Sequence, residues 1–503
     1  MSYRVVSMVR DHARDRGPAP ALIGAGRTFT FAELDARSSQ VAQGLLAAGL
    51  GHGSRVGYVG KNAPEFFEVL FGALKIGAVI CPANWRLTPG EIAAVLTDAQ
   101  AELTVLDAEF TAIGAELPGV IVHTGLEYEE WLAALPADDP GFVGAPDDVV
   151  MQLYTSGTTG VAKGVQLDNA NFAVFDRMTG PWQLDESSVN LAPMPFFHIG
   201  GSGWALAGLF AGARTIVIRD IDPVALVELI ERERVTNAFI VPAVLQFLCA
   251  VPGAAARDYS ALRRIAYGAS PITTHALNEA RATFQAPLCQ VYGMTETTGA
   301  ITQLDPADHE RPELLRSAGR PYAWVTIKIV EPATLAELPP GEVGEVWIST
   351  PQNTRGYWNR PSETERLLTG DGWLRSGDAG YLDAEGYLFL TDRIKDMVVS
   401  GGENIYPIEV EEVLAGHPDI ADVAVIGVPD EKWGETVKAI VVLRPGATLT
   451  ATQVLDYGKE HLPGFKRPRS VDLVEALPRN PSGKILKKEL RAPYWKGLTR
   501  NIN

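Results

Sequence analysis

The chain has 503 residues, of which 21% are charged and 46% are hydrophobic, and its formal net charge at pH 7 is −17. This length predicts several domains, and the acidic balance argues against nucleic acid as a partner, because phosphate backbones repel a negative surface. The sequence contains no apolar run of the roughly 18 residues that a membrane span needs and no recognisable signal peptide, so we expect a cytoplasmic protein.

The three cysteines are Cys81, Cys249 and Cys289, and they stand in apolar surroundings without a CxxC pair. This spacing supports neither a disulfide framework nor a zinc site, and we expect buried thiols. The sequence also contains no GxSxG or HExxH motif. We therefore expect catalysis without a side-chain nucleophile.

Predicted helices and strands alternate along the first 150 residues. Thr30 and Glu33 form a capping box before a helix whose apolar residues recur at helical spacing. A strand at 55–59, a helix at 63–74 and a strand at 78–81 then make one βαβ unit. The pattern continues with a helix at 89–96 and strands at 103–106, 120–123 and 149–153. Such alternation predicts parallel sheets covered by helices.

The alternation resumes after residue 169 and changes character beyond residue 303. It continues with strands at 215–218 and 238–241 and a helix at 223–232. Shorter β-like runs at 325–330 and 344–349 then predict an antiparallel subdomain. A compact pattern follows residue 392, with helices at 408–415 and 452–460 and strands at 422–428 and 437–443. We predict an α/β fold with a large N-terminal domain, residues 1–392, built from parallel-sheet α/β subdomains plus a β-rich subdomain, and a small α+β C-terminal domain, residues 393–503.

A loop rich in glycine and hydroxyl residues follows the apolar run at 149–153 and ends at Lys163. Its glycines let backbone N–H groups turn toward an anion, and its hydroxyls and lysine add donors and charge, which suits a polyphosphate. A P-loop nucleotidase needs glycine before the lysine and serine or threonine after it, whereas Ala162 and Gly164 flank Lys163 here. The sequence thus predicts another kind of phosphate loop, formed by Thr155, Ser156, Gly157, Thr158, Thr159, Gly160 and Lys163.

This loop resembles the phosphate loop of the adenylate-forming superfamily, which includes acyl- and aryl-CoA synthetases. Further motifs of that superfamily follow in the same order, at residues 191–204, 266–271, 291–296, 376–378, 399–407 and 480–487. The resemblance therefore covers nearly the whole chain. It implies the superfamily's fold, in which a small mobile C-terminal domain follows a large AMP-binding domain.

The resemblance implies an adenine site formed by the motifs at 266–271 and 291–296. Gly268, Ala269 and Ser270 would lie along the base, where small residues let the backbone approach a flat ring. Tyr292 would stack on the adenine. The nucleotide bound there would be ATP.

The same resemblance implies the residues around the phosphates and the ribose. Thr295 would contact the α-phosphate, and Glu296 would hold Mg²⁺, a hard cation that prefers carboxylate oxygen. Asp378 would accept from the ribose hydroxyls, and Arg393 would reach the ribose or the phosphates.

The C-terminal motifs resemble those that serve the two half-reactions in turn. Lys484 would bridge the acyl carboxylate and the phosphate during adenylation. A loop containing Gly401 and Gly402 would admit the pantetheine arm of CoA during thioester formation, and Lys395 would be the hinge between the two arrangements.

The acyl pocket is expected among Phe197, Trp204, Phe239 and Val241, with His198 bordering it and moving between the half-reactions. The reaction implied is activation of a hydrophobic carboxylic acid with ATP to acyl-AMP and pyrophosphate, followed by transfer of the acyl group to CoA. We favour a fatty acid of medium to long chain in fatty acid metabolism. Activation of an aryl or cyclic acid, or loading of a carrier protein, stays an alternative.

The expected partners are therefore small molecules: the carboxylic acid, ATP with Mg²⁺, and CoA as co-substrate. We expect a monomer or a homodimer without a transmembrane segment. A peripheral membrane contact stays open, because Lys466, Arg467 and Arg469 form a basic cluster that suits either CoA phosphates or an anionic surface.

Overall fold

The structure is a computed structural model that describes residues 4–156, 162–270, 272–393, 396–400, 403–430, 432–479 and 485–496. Within these ranges the chain folds into a large α/β body and a smaller C-terminal lobe, which confirms the predicted fold class. No helix in these ranges is both long and apolar enough to cross a membrane.

The strands are numbered in chain order. They are β1 Pro20–Gly24, β2 Arg27–Thr30, β3 Arg55–Val59, β4 Val79–Ala83, β5 Ala101–Leu106, β6 Val120–His123, β7 Val149–Ser156, β8 Ala162–Asp168, β9 Val189–Ala192, β10 Arg214–Val217, β11 Asn237–Phe239, β12 Arg264–Gly268, β13 Leu288–Met294, β14 Gly299–Leu304, β15 Arg320–Pro321, β16 Thr326–Val330, β17 Gly344–Ser349, β18 Gly356–Tyr357, β19 Leu374–Leu382, β20 Leu388–Arg393, β21 Val398–Ser400, β22 Glu403–Ile405, β23 Ile420–Asp430, β24 Gly434–Leu443 and β25 Ser470–Leu473.

The α-helices are numbered in the same way. They are α1 Val5–Arg16, α2 Phe31–Ala47, α3 Glu65–Leu74, α4 Pro89–Ala99, α5 Leu126–Ala133, α6 Asn169–Phe172, α7 Phe175–Trp182, α8 Ile199–Phe210, α9 Pro223–Arg232, α10 Pro242–Cys249, α11 Thr274–Phe284, α12 Pro361–Leu367, α13 Pro407–Ala415, α14 Ala451–His461 and α15 Lys487–Arg491.

Two mixed sheets form the large body. One has seven strands in the order β18-β8-β7-β4-β3-β5-β6, and the other has nine in the order β15-β14-β13-β12-β11-β9-β10-β1-β2. Their central strands are parallel, as predicted, while antiparallel partners lie toward both edges of the nine-stranded sheet and toward one edge of the seven-stranded sheet. All five residues of β12 are buried, which is the pattern of a parallel strand covered on both faces.

The remaining sheets are smaller. Strands β16, β17, β19 and β20 form an antiparallel sheet, which confirms the predicted β-rich subdomain. In the C-terminal lobe, β24 pairs antiparallel with β21 and β23 and parallel with β25. Helices α13 and α14 pack on this sheet over a separate apolar core that includes Val398, Val410 and Val454. The lobe therefore has its own core, while the domain boundary after residue 392 stays a prediction.

Local sequence explains most of the observed helix starts. The Thr30 hydroxyl accepts from the Glu33 N–H at 3.2 Å, and the Glu33 carboxylate accepts from the Thr30 N–H, so the predicted capping box is confirmed. The helix predicted at 63–74 begins at Glu65, because Pro64 occupies its N-cap position. The β1–β2 hairpin and helix α8 were not predicted. Helix α8 begins with poor helix formers, Gly200, Gly201 and Gly203, so its sequence does not indicate a helix.

The cysteine prediction holds with one adjustment. Cys81 and Cys289 are fully buried, and Cys249 is half-buried. Burial raises the pKa of the Cys81 thiol to about 12, so this thiol is inert at neutral pH.

Candidate active site

The carboxyl ends of four neighbouring parallel strands meet at one edge of the nine-stranded sheet. Strands β9, β11, β12 and β13 run parallel and are adjacent. The segments that leave them carry His198, Val241, Ala269 and Thr295. Ligands of open α/β sheets bind in the crevice outside such strand ends. The topology thus brings together motifs that lie up to 100 residues apart in the sequence.

The predicted phosphate loop connects β7 to β8. These strands form a hairpin in which Thr155 pairs with Lys163 and Ser156 pairs with Ala162. Residues Gly157, Thr158, Thr159 and Gly160 lie outside the described residues. The Lys163 ammonium lies 5.2 Å from the centre of the Tyr357 ring, because Tyr357 pairs with Val165 on the adjacent edge strand. The hairpin therefore fixes the two ends of the loop and the position of its lysine.

The segment predicted to lie along adenine turns sharply after β12. Gly268 is packed so closely that a Cβ atom there would lie 2.1 Å from the Val291 carbonyl oxygen. Ala269 has a φ of 66°, the left-handed region that small residues enter at least cost. The next residue, Ser270, is half-buried. This packing explains why position 268 has no side chain, and the contact of this segment with adenine stays a prediction.

A hydrogen bond joins the predicted adenine and ribose residues. The Tyr292 hydroxyl donates to the Asp378 carboxylate at 2.7 Å, which links β13 to β19. Asp378 is buried and pairs with Arg393 across β19 and β20. The structure therefore places these residues at one point, although the side chain of Arg393 lies outside the described residues.

The predicted metal ligand Glu296 is a buried carboxylate, 6% exposed. It accepts from the Tyr357 hydroxyl at 2.8 Å, and it follows Thr295 in a short 3₁₀ turn after β13. No cluster of three or more histidine, cysteine or acidic metal ligands occurs among the described residues. This donor set fits Mg²⁺, which is commonly held by one or two carboxylates together with substrate phosphates.

His198 ends the segment after β9 and is the N-cap residue of α8. Its Nε2 atom is buried and has no hydrogen-bond partner in the described part of the chain. Burial lowers the pKa of His198 to about 4, with a smaller contribution from Arg86, so the imidazole is neutral at physiological pH. Its ring lies 4.5 Å from that of Phe197. The ring therefore carries no charge at this pH, and the gating role of His198 stays a prediction.

A small apolar cavity of about 90 Å³ lies at the start of α8, where Ile199, Gly200 and Gly203 line it. Of the predicted acyl-pocket residues, Trp204 and Phe239 line it, while Phe197 and Val241 are buried outside its lining. Sequence reasoning missed most of the lining, which also includes Phe175, Trp182, Ile199, Val291, Thr298 and Ala300. Within this lining, the centroids of the Trp182 and Trp204 rings lie 5.1 Å apart.

Several predicted residues of the C-terminal lobe lie outside the described residues: Lys395, Gly401, Gly402 and Lys484. Their neighbours show where these segments are anchored. Arg479 and Ile485 pair with each other on either side of residues 480–484, and Ser400 pairs with Gly434 at the start of β24. The bases of both C-terminal motifs are therefore part of the lobe's own framework.

Tyr357 is the main polar residue that sequence reasoning missed. It contacts both Glu296 and Lys163, and its neighbour Trp358 donates to the Asp98 carbonyl at 3.0 Å. The Asp98 carboxylate accepts from the Tyr154 hydroxyl at 2.8 Å, directly before the phosphate loop. The aromatic pair after Gly356 was the available signal, since exposed loops seldom carry two large aromatic residues in succession.

Two family models match the chain: AMP-binding enzyme over residues 9–358, and AMP-binding enzyme C-terminal domain over residues 409–484. The chain is 40% identical to a fatty acid–[acyl-carrier-protein] ligase, ScoC, of Streptomyces coeruleorubidus, an alignment that covers 98% of this chain and 96% of that protein. It is 37% identical to a feruloyl-CoA synthase of an Amycolatopsis species, over 96% of this chain and 97% of that one.

Among solved structures, the fold is similar to that of ATP-bound MatB from Rhodopseudomonas palustris. The TM-score is 0.91 at 30% sequence identity, and the match covers 98% of this chain and 99% of that chain. The likeness therefore extends over the large body and the C-terminal lobe alike.

Proposed function

Since this chain belongs to the AMP-binding enzyme family, within the adenylate-forming superfamily, and is an ATP-dependent acid–thiol ligase, we propose that its substrate is a compact hydrophobic carboxylic acid. The observation that carries the proposal is the apolar cavity at the end of β11 and β13. Its volume of about 90 Å³ is far below the roughly 300–1,000 Å³ of pockets that enclose drug-sized ligands. The cavity favours the short end of the expected fatty acid range.

A medium-chain fatty acid is our first candidate, and it agrees in class with the fatty acid that the name of the relative ScoC states. An aryl acid is the second, because feruloyl-CoA synthase is also a full-length relative. The aromatic lining favours either one, since Trp204 and Phe239 offer flat apolar surfaces.

Adenylation joins a carboxylate oxygen of the acid to the α-phosphorus of ATP, and the bond from that phosphorus to the pyrophosphate oxygen breaks. Both reactants are anions, so the site must neutralise charge as they approach. We assign this task to Lys163 and Lys484, and we assign Thr295 to the α-phosphate. When bound at Glu296, Mg²⁺ would supply further positive charge to the phosphates.

Binding of the nucleoside is assigned to the pair Tyr292 and Asp378, next to Gly268, Ala269 and Ser270. Asp378 can accept from ribose hydroxyls and keep its hydrogen bond to Tyr292, because a carboxylate has two oxygens with about four acceptor sites. Tyr292 would then present its ring face to adenine. The 2.7 Å contact thus keeps the buried carboxylate satisfied before the nucleotide binds.

In the second step, a thiolate attacks the acyl carbonyl carbon and AMP leaves. We propose that CoA supplies the thiol near residues 400–404, with Lys395 as the hinge of the lobe and the glycines 401 and 402 admitting the pantetheine arm. Two segments flank the start of β24. On one side Ser400 pairs with Gly434, and on the other side the Arg469 N–H, just before β25, donates to the Val437 carbonyl at 2.8 Å.

That edge of the lobe exposes two aromatic rings with lysines over them. Trp433 is 42% exposed with the Lys432 ammonium 4.6 Å from its ring centre, and Phe465 is 45% exposed with Lys466 at 5.5 Å. Aromatic and basic groups together suit the nucleotide of CoA. They also suit the surface of an acidic carrier protein, which the ScoC likeness makes the second candidate acceptor.

The test is pyrophosphate release with a panel of aliphatic and aryl acids, followed by thioester formation with free CoA and with a pantetheine-bearing carrier protein. We expect ATP-dependent pyrophosphate release with medium-chain acids and thioester formation with CoA. If none of the acids in the panel causes pyrophosphate release, the substrate proposal is wrong. If a thioester forms with the carrier protein and not with CoA, the acceptor is the carrier protein.

A further inference from the structure

Two tryptophan rings in contact with each other form one wall of the cavity. Trp182, the last residue of α7, and Trp204, in α8, are 5% and 4% exposed, and their ring planes meet at 45°. Phe239 continues the wall at 6.1 Å from Trp204. An acyl chain longer than the cavity can hold must displace part of its lining, and this wall is the part that we consider.

Trp182 is held at both its side chain and its backbone. Its indole Nε1–H donates to the Tyr322 hydroxyl at 3.0 Å, and the Tyr322 hydroxyl donates to the Gln303 Oε1 at 3.0 Å. The carbonyl of Trp182 accepts from the Asn237 side-chain amide at 2.7 Å. Gln303 is fixed in turn, because its amide donates to the Asp305 carboxylate at 2.6 Å. Together these bonds restrict rotation of the Trp182 side chain.

Burial makes this relay stronger than a surface contact. Tyr322, Gln303 and Asn237 are 7%, 7% and 0% exposed. Burial also raises the pKa of Tyr322 well above its ordinary value of 10, so the phenol retains the proton that it donates to Gln303. Tyr322 further stacks on Trp324, with ring centroids 4.9 Å apart and planes at 5°.

Trp204 is held differently. Its indole Nε1–H donates to the backbone carbonyl of Leu191 at 3.1 Å. This partner belongs to β9 and cannot be removed by a side-chain change. Of the two tryptophans, Trp182 is therefore the one whose indole position depends on another side chain.

The sheet behind the wall is polar. Asn190, Asn237 and Arg264 are direct cross-strand neighbours on β9, β11 and β12, so their side chains share one face of the sheet. Arg264 is 7% exposed, and within the described residues its Nε and Nη1 atoms have no hydrogen-bond partner and no carboxylate lies within ion-pair distance. An alkyl chain driven past Trp182 would lie against these buried polar groups, which is unfavourable. The wall is thus both a steric and a polar limit.

We propose that Trp182 sets the length limit of the acid and that Tyr322 is its positioning residue, acting through the hydrogen bond to the indole N–H. The inference rests on the proposed function, because it concerns which acids the same cavity accepts. Tyr322 does not line the cavity, so its effect on selectivity must pass through Trp182. A phenylalanine at position 322 would keep the ring packing and remove both hydrogen bonds of the phenol, the one that holds the indole and the one to Gln303.

The experiment compares kcat/KM for pyrophosphate release along a series of unbranched acids from butanoic to hexadecanoic. The enzymes are the unaltered protein, Tyr322→Phe, Trp182→Phe and the control Tyr128→Phe. Tyr128 is fully buried and donates to Glu68 at 3.0 Å, away from the cavity. We expect Tyr322→Phe to raise kcat/KM for the first rejected acid, relative to the best acid, about fivefold, the equilibrium shift that one buried neutral hydrogen bond supports.

Trp182→Phe should extend the accepted length further, and Tyr128→Phe should leave the relative profile unchanged. If Tyr322→Phe lowers kcat/KM by one common factor for all acids, Tyr322 has only a structural role and the inference is wrong. If Tyr322→Phe lacks a cooperative thermal transition, an unaltered length profile in Trp182→Phe overturns the inference instead. If the unaltered protein releases no pyrophosphate with any acid, the proposed function is wrong, and that result is distinct from a failure of the length-limit inference.

Discussion

Replacing Tyr357 by phenylalanine should weaken Mg²⁺ binding far more than it weakens binding of the acid. The phenol donates at 2.8 Å to Glu296, a carboxylate that is 6% exposed. A hydrogen bond to a buried charged group contributes about 1.5–3 kcal/mol, and removing a group that orients a metal ligand lowers metal affinity about 10- to 100-fold. An energy of about 1.5–3 kcal/mol also corresponds to roughly a 10- to 100-fold change in affinity. We therefore expect the half-saturating Mg²⁺ concentration to rise about 10- to 100-fold.

The assay is pyrophosphate release at saturating ATP and acid while Mg²⁺ is varied. Tyr387→Phe is the matched control, because Tyr387 is also buried and donates to a carboxylate, Asp308, at the same 2.8 Å outside the site. We expect this control to leave the Mg²⁺ dependence unaltered. An unchanged half-saturating concentration in Tyr357→Phe would refute the assignment of Glu296 as a metal ligand oriented by Tyr357.

Three further changes test other parts of the site. Lys484→Ala should lower acyl-AMP formation roughly 100-fold or more and still convert supplied acyl-AMP to the thioester; equal loss in both assays would contradict its assignment. Tyr292→Phe removes the bond to Asp378 and should raise the KM for ATP without changing the KM for the acid, measured by the same release assay. The folded pKa of His198, about 4, lies below the ordinary 6.5, so its contribution to stability is complete above pH 6.5 and is lost as the pH falls toward 4. Urea unfolding of His198→Phe should therefore show a shallower loss of stability over that interval than the unaltered protein, and equal slopes would contradict the buried neutral ring.

The sequence predicted those features that depend on neighbouring residues. The capping box of Thr30 and Glu33, the strands at 55–59 and 344–349 and the helix at 223–232 all appear with the predicted limits or starts. Each is marked by periodicity or capping within a few residues. Helix α8 escaped prediction because its first turn is rich in glycine, and it forms only where the rest of the fold covers its apolar side chains.

The cavity lining depends on contacts between distant residues, and hydropathy cannot reveal them. Phe197 and Val241 are as buried as Trp204 and Phe239, yet only the second pair faces the cavity. Hydropathy reports burial, whereas lining depends on which side of a strand end or turn a side chain occupies.

Trp182 shows the same limit from the opposite side. In the sequence it is one aromatic residue in a short polar segment, and its partner Tyr322 lies 140 residues away. Tyr322 reaches this position because it directly follows β15, which pairs with β14, and its N–H donates to the Ile301 carbonyl of β14 at 3.1 Å. The reaction class can thus be identified from local motifs, to which we assign the binding of ATP. The choice of acid depends on tertiary hydrogen bonds, and only the structure makes these visible.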